Sequence, residues 1–322
     1  MRLGKLDNDR LEELVLNKFK KTRTESATVP EVGMDCAMLD LFGDLAVLSC
    51  DPITSAKLAN LGSLTVHVSC NDAAAAGADP IGLLVTLLAP PQATFGEIGR
   101  LADDIALAAK SVNVDILGGH TEVTDSVTRF VTNTTVIGRL PRDHAMRGMR
   151  LGDDIVLTKW AALEGSAIIA EDYRHLISQL PESLIQSARS FTKYLSVVPE
   201  SRIAIKHGAT AMHDITEGGV LGACWEMGYV AKCGMEIDTS KIPLLPETVS
   251  ICNHLSLDPL RLISSGSMLI ACKDGNALTV ALENAGIHAC IIGKATSGSA
   301  VLSNGTPIDP PGADELYRLS SF

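Results

Sequence analysis

"ILGGHTEVT", residues 116–124, is the stretch on which the reading of this chain turns. Behind the strand-like run Val114, Asp115, Ile116, Leu117 come Gly118 and Gly119, and then His120, Thr121 and Glu122 follow without a break. Two glycines let the backbone come close to a neighbour or a ligand. If the chain stays extended beyond them, positions 120 and 122 face the same way. Upstream, Ile98, Leu101, Ala102, Ile105, Ala109 and Val112 recur at helical spacing, and Ile81 to Leu88 reads as a buried strand ended by Pro90 and Pro91. Leu61 to Ala76 reads as a further helix, and the β-branched run "FVTNTTVIG" follows the opening motif. The first half is therefore a mixed sheet with helices, an α/β arrangement.

Composition supports this. Of 322 residues, 46% are hydrophobic but only 4% aromatic, so Ala, Leu, Val and Ile must build the interior. Such residues pack helices closely onto sheets. The length suits two domains. A formal net charge of −11, with no long run of Lys or Arg, argues against nucleic acid as a partner and for cations in acidic clefts. The uncharged apolar runs are too short to span a bilayer, and Met1 to Lys21 reads as a charged amphipathic helix with Asp9 as N-cap and an apolar stripe of Leu11, Leu14, Val15 and Phe19. No membrane and a cytoplasmic location are expected. The eight cysteines contain no Cys-x-x-Cys pair, so small buried thiols are expected rather than a zinc site.

The polar, turn-rich stretch "PRDHAMRGMRLGDD" (141–154) suits a domain joint, giving domains 1–150 and 151–322. Beyond it, "DIVLTK", "TAMHDI", "MEID", "SMLIAC" and "HACIIG" read as short strands, and Ala277 to Ala285 as a helix ended by Gly286.

Carboxylates stand out at four places. Asp35 follows a glycine in "VGMDCA", Asp51 ends a strand before Pro52, Asp72 falls on a helix stripe with Leu61, Leu64 and Val68, and Glu122 sits in the opening motif. A lone carboxylate on a buried stripe is costly and needs a cation or hydrogen-bond donors. Oxygen ligands from several elements are what Mg²⁺ requires. Neither a Walker-type loop nor a Gly-x-Gly-x-x-Gly fingerprint is present. In "MHDITEGGVLGA" (212–223), strand-like residues lead through His213 and Asp214 to a turn, Thr216, Glu217, Gly218, Gly219, that opens a helix with Thr216 as its cap. Such a turn can aim N–H groups at an anion.

As an ordered set, "GKL", "GMDCAML", "LSCDPIT", "VSCNDAAAAGADP", "LGGHTEVT", "LTKWAALEGSAIIA", "HDITEGGVLGA" and "SSGSMLIA" resemble the aminoimidazole-ribonucleotide synthetase superfamily. That superfamily includes thiamine-monophosphate kinase, selenophosphate synthetase and the hydrogenase-maturation dehydratase HypE, and the chain looks most like the HypE branch. The resemblance implies a two-domain PurM-like α/β fold whose N-terminal sheets pair across a homodimer, with ATP and Mg²⁺ in the cleft between domains. It implies phosphorylation of an amide- or carbonyl-like oxygen on a small-molecule or protein-bound substrate, followed by loss of phosphate. A thiamine-monophosphate-kinase-like activity and a non-catalytic nucleotide-binding assembly protein are the alternatives.

Asp35, Asp51, Asp72 and Glu122 are the implied metal ligands, and Asp72, Asp214 and Glu217 the implied catalytic acids. Lys5, Asp51, Asn71, Gly118, Gly119, His120, Thr121, Lys159, Gly218 and Gly219 are the implied nucleotide contacts. Two departures stand out. HypE ends in a cysteine that carries the group to be dehydrated, whereas this sequence ends "ELYRLSSF" and its last cysteine is Cys290. Relatives also tend to have an acid where His120 stands, and Mg²⁺ prefers oxygen to imidazole.

Overall fold

The computed structural model describes residues 36–40, 43–54 and 56–321, together with Asn8, Asp9, Glu12 and Val32. Asn8, Asp9 and Glu12 are helical, so Asp9 lies inside the opening helix rather than capping it; the apolar stripe expected there falls outside the described residues.

Two sheets carry the molecule. The first is built from β1 (Ala37–Asp40), β2 (Leu45–Ile53), β3 (Asp79–Ala89), β4 (Asp115–Val123) and β5 (Val131–Leu140), in the order β1-β2-β5-β3-β4. Only β3 and β4 run parallel, because helix α2 (Phe95–Val112) carries the chain back between them. Helix α1 (Leu58–Ala75) packs beside α2. Thr94 and Glu97 form a capping box that starts α2, and Asn113, in the left-handed region at φ 59°, ends it.

β2 does not stop before Pro52, as expected, but continues through it to Ile53, with Pro52 opposite Asn133. Among the described residues β1 pairs only with Leu45–Leu48, so no ladder bond is lost to the proline nitrogen on that side.

The second sheet has the order β11-β8-β10-β6-β9-β7, from β6 (Asp154–Thr158), β7 (Ala209–Asp214), β8 (Gly234–Ile237), β9 (Met268–Cys272), β10 (Ala289–Thr296) and β11 (Val301–Leu302). Helices α5 (Val198–Lys206), α6 (Gly219–Ala231) and α8 (Gly275–Asn284) pack on it, and α3 (Leu163–Asp172), α4 (Glu182–Arg189) and α7 (Pro246–Leu255) pack on one another around an apolar cluster of their own. Asp274 caps α8 through the Ala277 N–H.

One apolar cluster runs from Leu61, Leu83 and Val136 of the first half to Val156, Ile270 and Leu278 of the second, all fully buried. The halves thus share a core, and a row of hydrogen bonds pins them together. Asn71 of α1 donates to the Leu195 carbonyl at 2.8 Å and accepts from the Val197 N–H at 2.9 Å, while Ser201 donates to the Ala74 carbonyl at 2.6 Å.

All eight cysteines are free, and five of them are buried. Burial pushes the Cys70 and Cys224 thiols up to about 12, so both stay protonated and inert.

A candidate nucleotide cleft between the domains

Where the two halves meet, a cavity of about 310 Å³ opens between Asp72 on α1, Met146 to Met149 of the joint, Thr210 to Asp214 of β7 and Met227 to Ala231 of α6. Its walls are largely apolar, and the carboxylates of Asp72 and Asp214, only 6% and 2% exposed, are set into them. Two of the expected residues, Asp72 and Asp214, line this cleft, and a third, Asp51, is linked to Asp72 from outside its wall.

Ser49 joins Asp72 to Asp51. The three side chains meet because Ser49 and Asp51 are two apart on β2, hence on one face, and α1 crosses that face. The Ser49 hydroxyl donates to Asp72 Oδ2 in a short hydrogen bond and also lies 3.2 Å from Asp51 Oδ2. One hydroxyl proton cannot serve two carboxylates at once. Two acids gathered on one hydroxyl make a donor set that suits a hard cation. Ser49 was not singled out in the sequence, although its i, i+2 relation to Asp51 was visible there. Among the described residues no three acids, histidines or cysteines converge as a complete metal cage, and Asp35 and Lys5 lie outside those residues.

The opening motif sits elsewhere. β4 stays extended through Gly118 and Gly119 to Val123, and His120 and Glu122 do share a face, with Nε2 and Oε2 3.3 Å apart. Both side chains are exposed, at 66% and 52%. Thr121 is likewise exposed. Gly119, at φ 147°, lies flat on β3, where any Cβ would collide with the Val85 carbonyl. Gly119 thus serves strand packing, whereas a Cβ at Gly118 would only touch the Leu84 side chain. From β2 to β4 the sheet crosses three strand spacings, roughly 14 Å. A single chain therefore does not bring Glu122 to Asp51 and Asp72.

Two expected nucleotide contacts are committed to other work. Asn71 is fully buried, with its amide spent on residues 195 and 197. Lys159, 7% exposed, donates to the carbonyls of Tyr194, Ser196 and Gly266 at 2.6 to 2.8 Å and pairs with Glu200 Oε1 at 2.6 Å. Burial pulls the Lys159 ammonium down, and Glu200 opposes the shift. Asn71 ties the two halves together and Lys159 braces the second half from within, so neither offers a ligand a free donor.

The Gly218–Gly219 turn is also filled from within the chain. Gly218 is the N-cap of α6 in the left-handed region, so Thr216 does not cap it. The Gly218 N–H donates to Asp314 Oδ2 at 2.8 Å, and the Gly219 N–H to the Thr216 carbonyl at 3.1 Å. Glu217 accepts from the Tyr317 hydroxyl at 2.8 Å. An anion does sit at this helix start, but it is the chain's own carboxylate. Burial raises Asp314 to about 6 and the neighbouring Glu164 to about 7.

Residues 33–140 match the N-terminal domain of AIR synthase related proteins, and residues 150–302 match their C-terminal domain. The chain belongs to the AIR synthase-related family. Within it, the chain is 28% identical over 303 residues to a putative hydrogenase expression/formation protein of Methanocaldococcus jannaschii, covering 91% of this chain and 88% of that one. It is 30% identical over 235 residues to the carbamoyl dehydratase HypE of Cupriavidus necator, covering 70% of this chain and 64% of that one. The fold matches a ThiL protein complexed with AMPPCP and TMP at a TM-score of 0.77, with 18% identity over 98% of both chains. It matches hydrogenase maturation protein HypE in complex with ATP at 0.72, with 20% identity over 98% of this chain and 97% of that one. The expected two-domain architecture is thus the AIR synthase-related one.

Proposed function

We propose that this chain is an ATP-dependent enzyme of the HypE type, which phosphorylates an amide- or carbonyl-like oxygen and then lets that oxygen leave as phosphate. The observation that carries the reading is the meeting of Asp51 and Asp72 on Ser49 beside a cleft whose far wall ends in Asp214. HypE relatives named carbamoyl dehydratases and an ATP-bound HypE of the same fold support it.

In the first step the substrate oxygen attacks the γ-phosphorus and ADP leaves; in the second the C–O bond breaks and inorganic phosphate departs. Asp51 and Asp72 would hold Mg²⁺, which neutralises charge on the transferred phosphoryl group. Asp214, on the wall of the same cavity, would take a proton from the substrate. A kinase reading is favoured by the match to a ThiL structure, and product analysis separates the two, because elimination releases free phosphate and simple transfer does not.

The working unit would be a homodimer. Ile116, Leu117 and Val123 of edge strand β4, with Ile81 and Leu84 of β3, are 42% to 57% exposed, an apolar patch unusual for a monomer's surface. Pairing of this edge with a second copy would cover it, and would carry His120 and Glu122 toward the partner's cleft.

Calorimetry with a non-hydrolysable ATP analogue should show binding that depends on Mg²⁺ and is weakened at least about tenfold by Asp72→Asn, the loss of one charge-assisted contact. Absence of binding with and without Mg²⁺ would overturn the reading.

A further inference from the structure

A second cavity, of about 590 Å³, lies between α1 and α2 of the first half and residues 192–202 of the second. It shares no lining residue with the nucleotide cleft. On α1 its wall is Ser63 and His67, one turn apart; on α2 it is Asp104; across the gap stand Lys193, Ser196 and Arg202.

His67 is the unusual member. It is only 8% exposed, and its Nδ1 has no hydrogen-bond partner. A buried polar group left unpaired costs of the order of 1–3 kcal/mol. Burial, reinforced by the nearby Lys159 ammonium, pushes the ring down to about 4, so at neutral pH it presents one N–H donor and one bare nitrogen.

The charged groups around it are unevenly satisfied. Among the described residues Lys193 makes no ion pair, and its ammonium stands 4.8 Å from the centre of the Tyr194 ring. Arg202 uses Nε and Nη2 on Asp79 Oδ1, at 3.0 and 2.6 Å, which leaves Nη1 open. Asp104, on the opposite wall, makes no ion pair among the described residues.

We propose that this cavity binds a small amino-bearing oxyanion. Its oxyanion end is held by Lys193 and the open edge of Arg202 and its ammonium end by Asp104, with the buried imidazole of His67 in the wall beside them. The charge pattern selects that class over either half alone. A bare anion would leave Asp104 facing it, and a bare cation would meet Lys193. The hydroxyls of Ser63 and Ser196 can serve either end.

The test uses the full chain and follows the ring signals of His67 by NMR, assigned with His67→Gln. Inorganic phosphate, phosphoethanolamine and β-alanine are titrated in turn. The expected result is a saturable shift of His67 with phosphoethanolamine or β-alanine, at lower concentration than with inorganic phosphate. Which amino compound binds tighter identifies the oxyanion as phosphate or carboxylate. Lys193→Ala should weaken binding roughly tenfold or more, as expected for one charge-assisted hydrogen bond. Asp104→Asn should abolish the advantage over inorganic phosphate. Both side chains lie on exposed residues, so unchanged thermal melts will show that the variants are folded. A saturating ATP analogue should leave the shift in place. No shift of His67 at millimolar probe, an equal shift in Lys193→Ala, or no preference for the amino compounds would overturn the proposal.

Discussion

At the scale of single residues, the buried acids set a pH dependence. Both are buried, and Glu164 is raised from 4.5 to about 7 and Asp314 from 3.8 to about 6, in both cases chiefly by desolvation. Folded pKa values above the unfolded ones mean that the folded state binds more protons between them. The stabilisation is complete below the unfolded values and is lost as pH rises through about 6 to 7. Denaturation of the wild-type chain should therefore show falling stability from pH 5 to pH 8. Glu164→Gln, which keeps an acceptor for the Ser265 N–H, should flatten that fall and stabilise at pH 8, by on the order of 3 kcal/mol. A steeper fall in the variant would contradict the assignment. In the opening motif, Glu122→Ala should weaken Mg²⁺-dependent nucleotide binding more than His120→Ala, because oxygen suits the ion and imidazole does not. The reverse order in calorimetry would give His120 the direct role.

Helix α1 shows how much one element decides. Its buried face carries Leu61 and Leu64, but also His67, Asn71 and Asp72, and each polar group has a different task. Asp72 turns to the first cavity, Asn71 grips residues 195 and 197, and His67 lines the second cavity. The sequence made the stripe and the misplaced carboxylate legible through helical spacing. It could not distinguish Asn71 from Asp72, which are neighbours in the chain but point to different partners. Asn71→Ala strands the Leu195 carbonyl and the Val197 N–H, and should cost about 2–4 kcal/mol in chemical denaturation, two buried hydrogen bonds at once. If Asn71 were a nucleotide contact instead, the variant would lose affinity with no loss of stability. On the first sheet, β4 was readable as a strand, and the shared face of 120 and 122 held. Its position at the far edge depends on strand order, on which local periodicity is silent.

For the whole molecule, the exposed edge at β4 predicts a dimer. Leu117→Asp should shift sedimentation toward the monomer without unfolding the chain, since Leu117 is 57% exposed. A variant that sediments as wild type would remove the dimer from the proposal. The fold class, the two sheets and the family were all legible from composition, periodicity and an ordered set of motifs. Local alternation and helical spacing are fixed by which face each side chain takes, and that is a property of the sequence alone. Tertiary structure decided which acids meet. It placed Asp51 and Asp72 on Ser49, left Glu122 three strands away, and filled the Gly218 turn with Asp314 from a segment far along the chain. Those pairings depend on contacts between residues distant in sequence, set by strand order and by the burial of the shared core, and no stretch read by itself contains them.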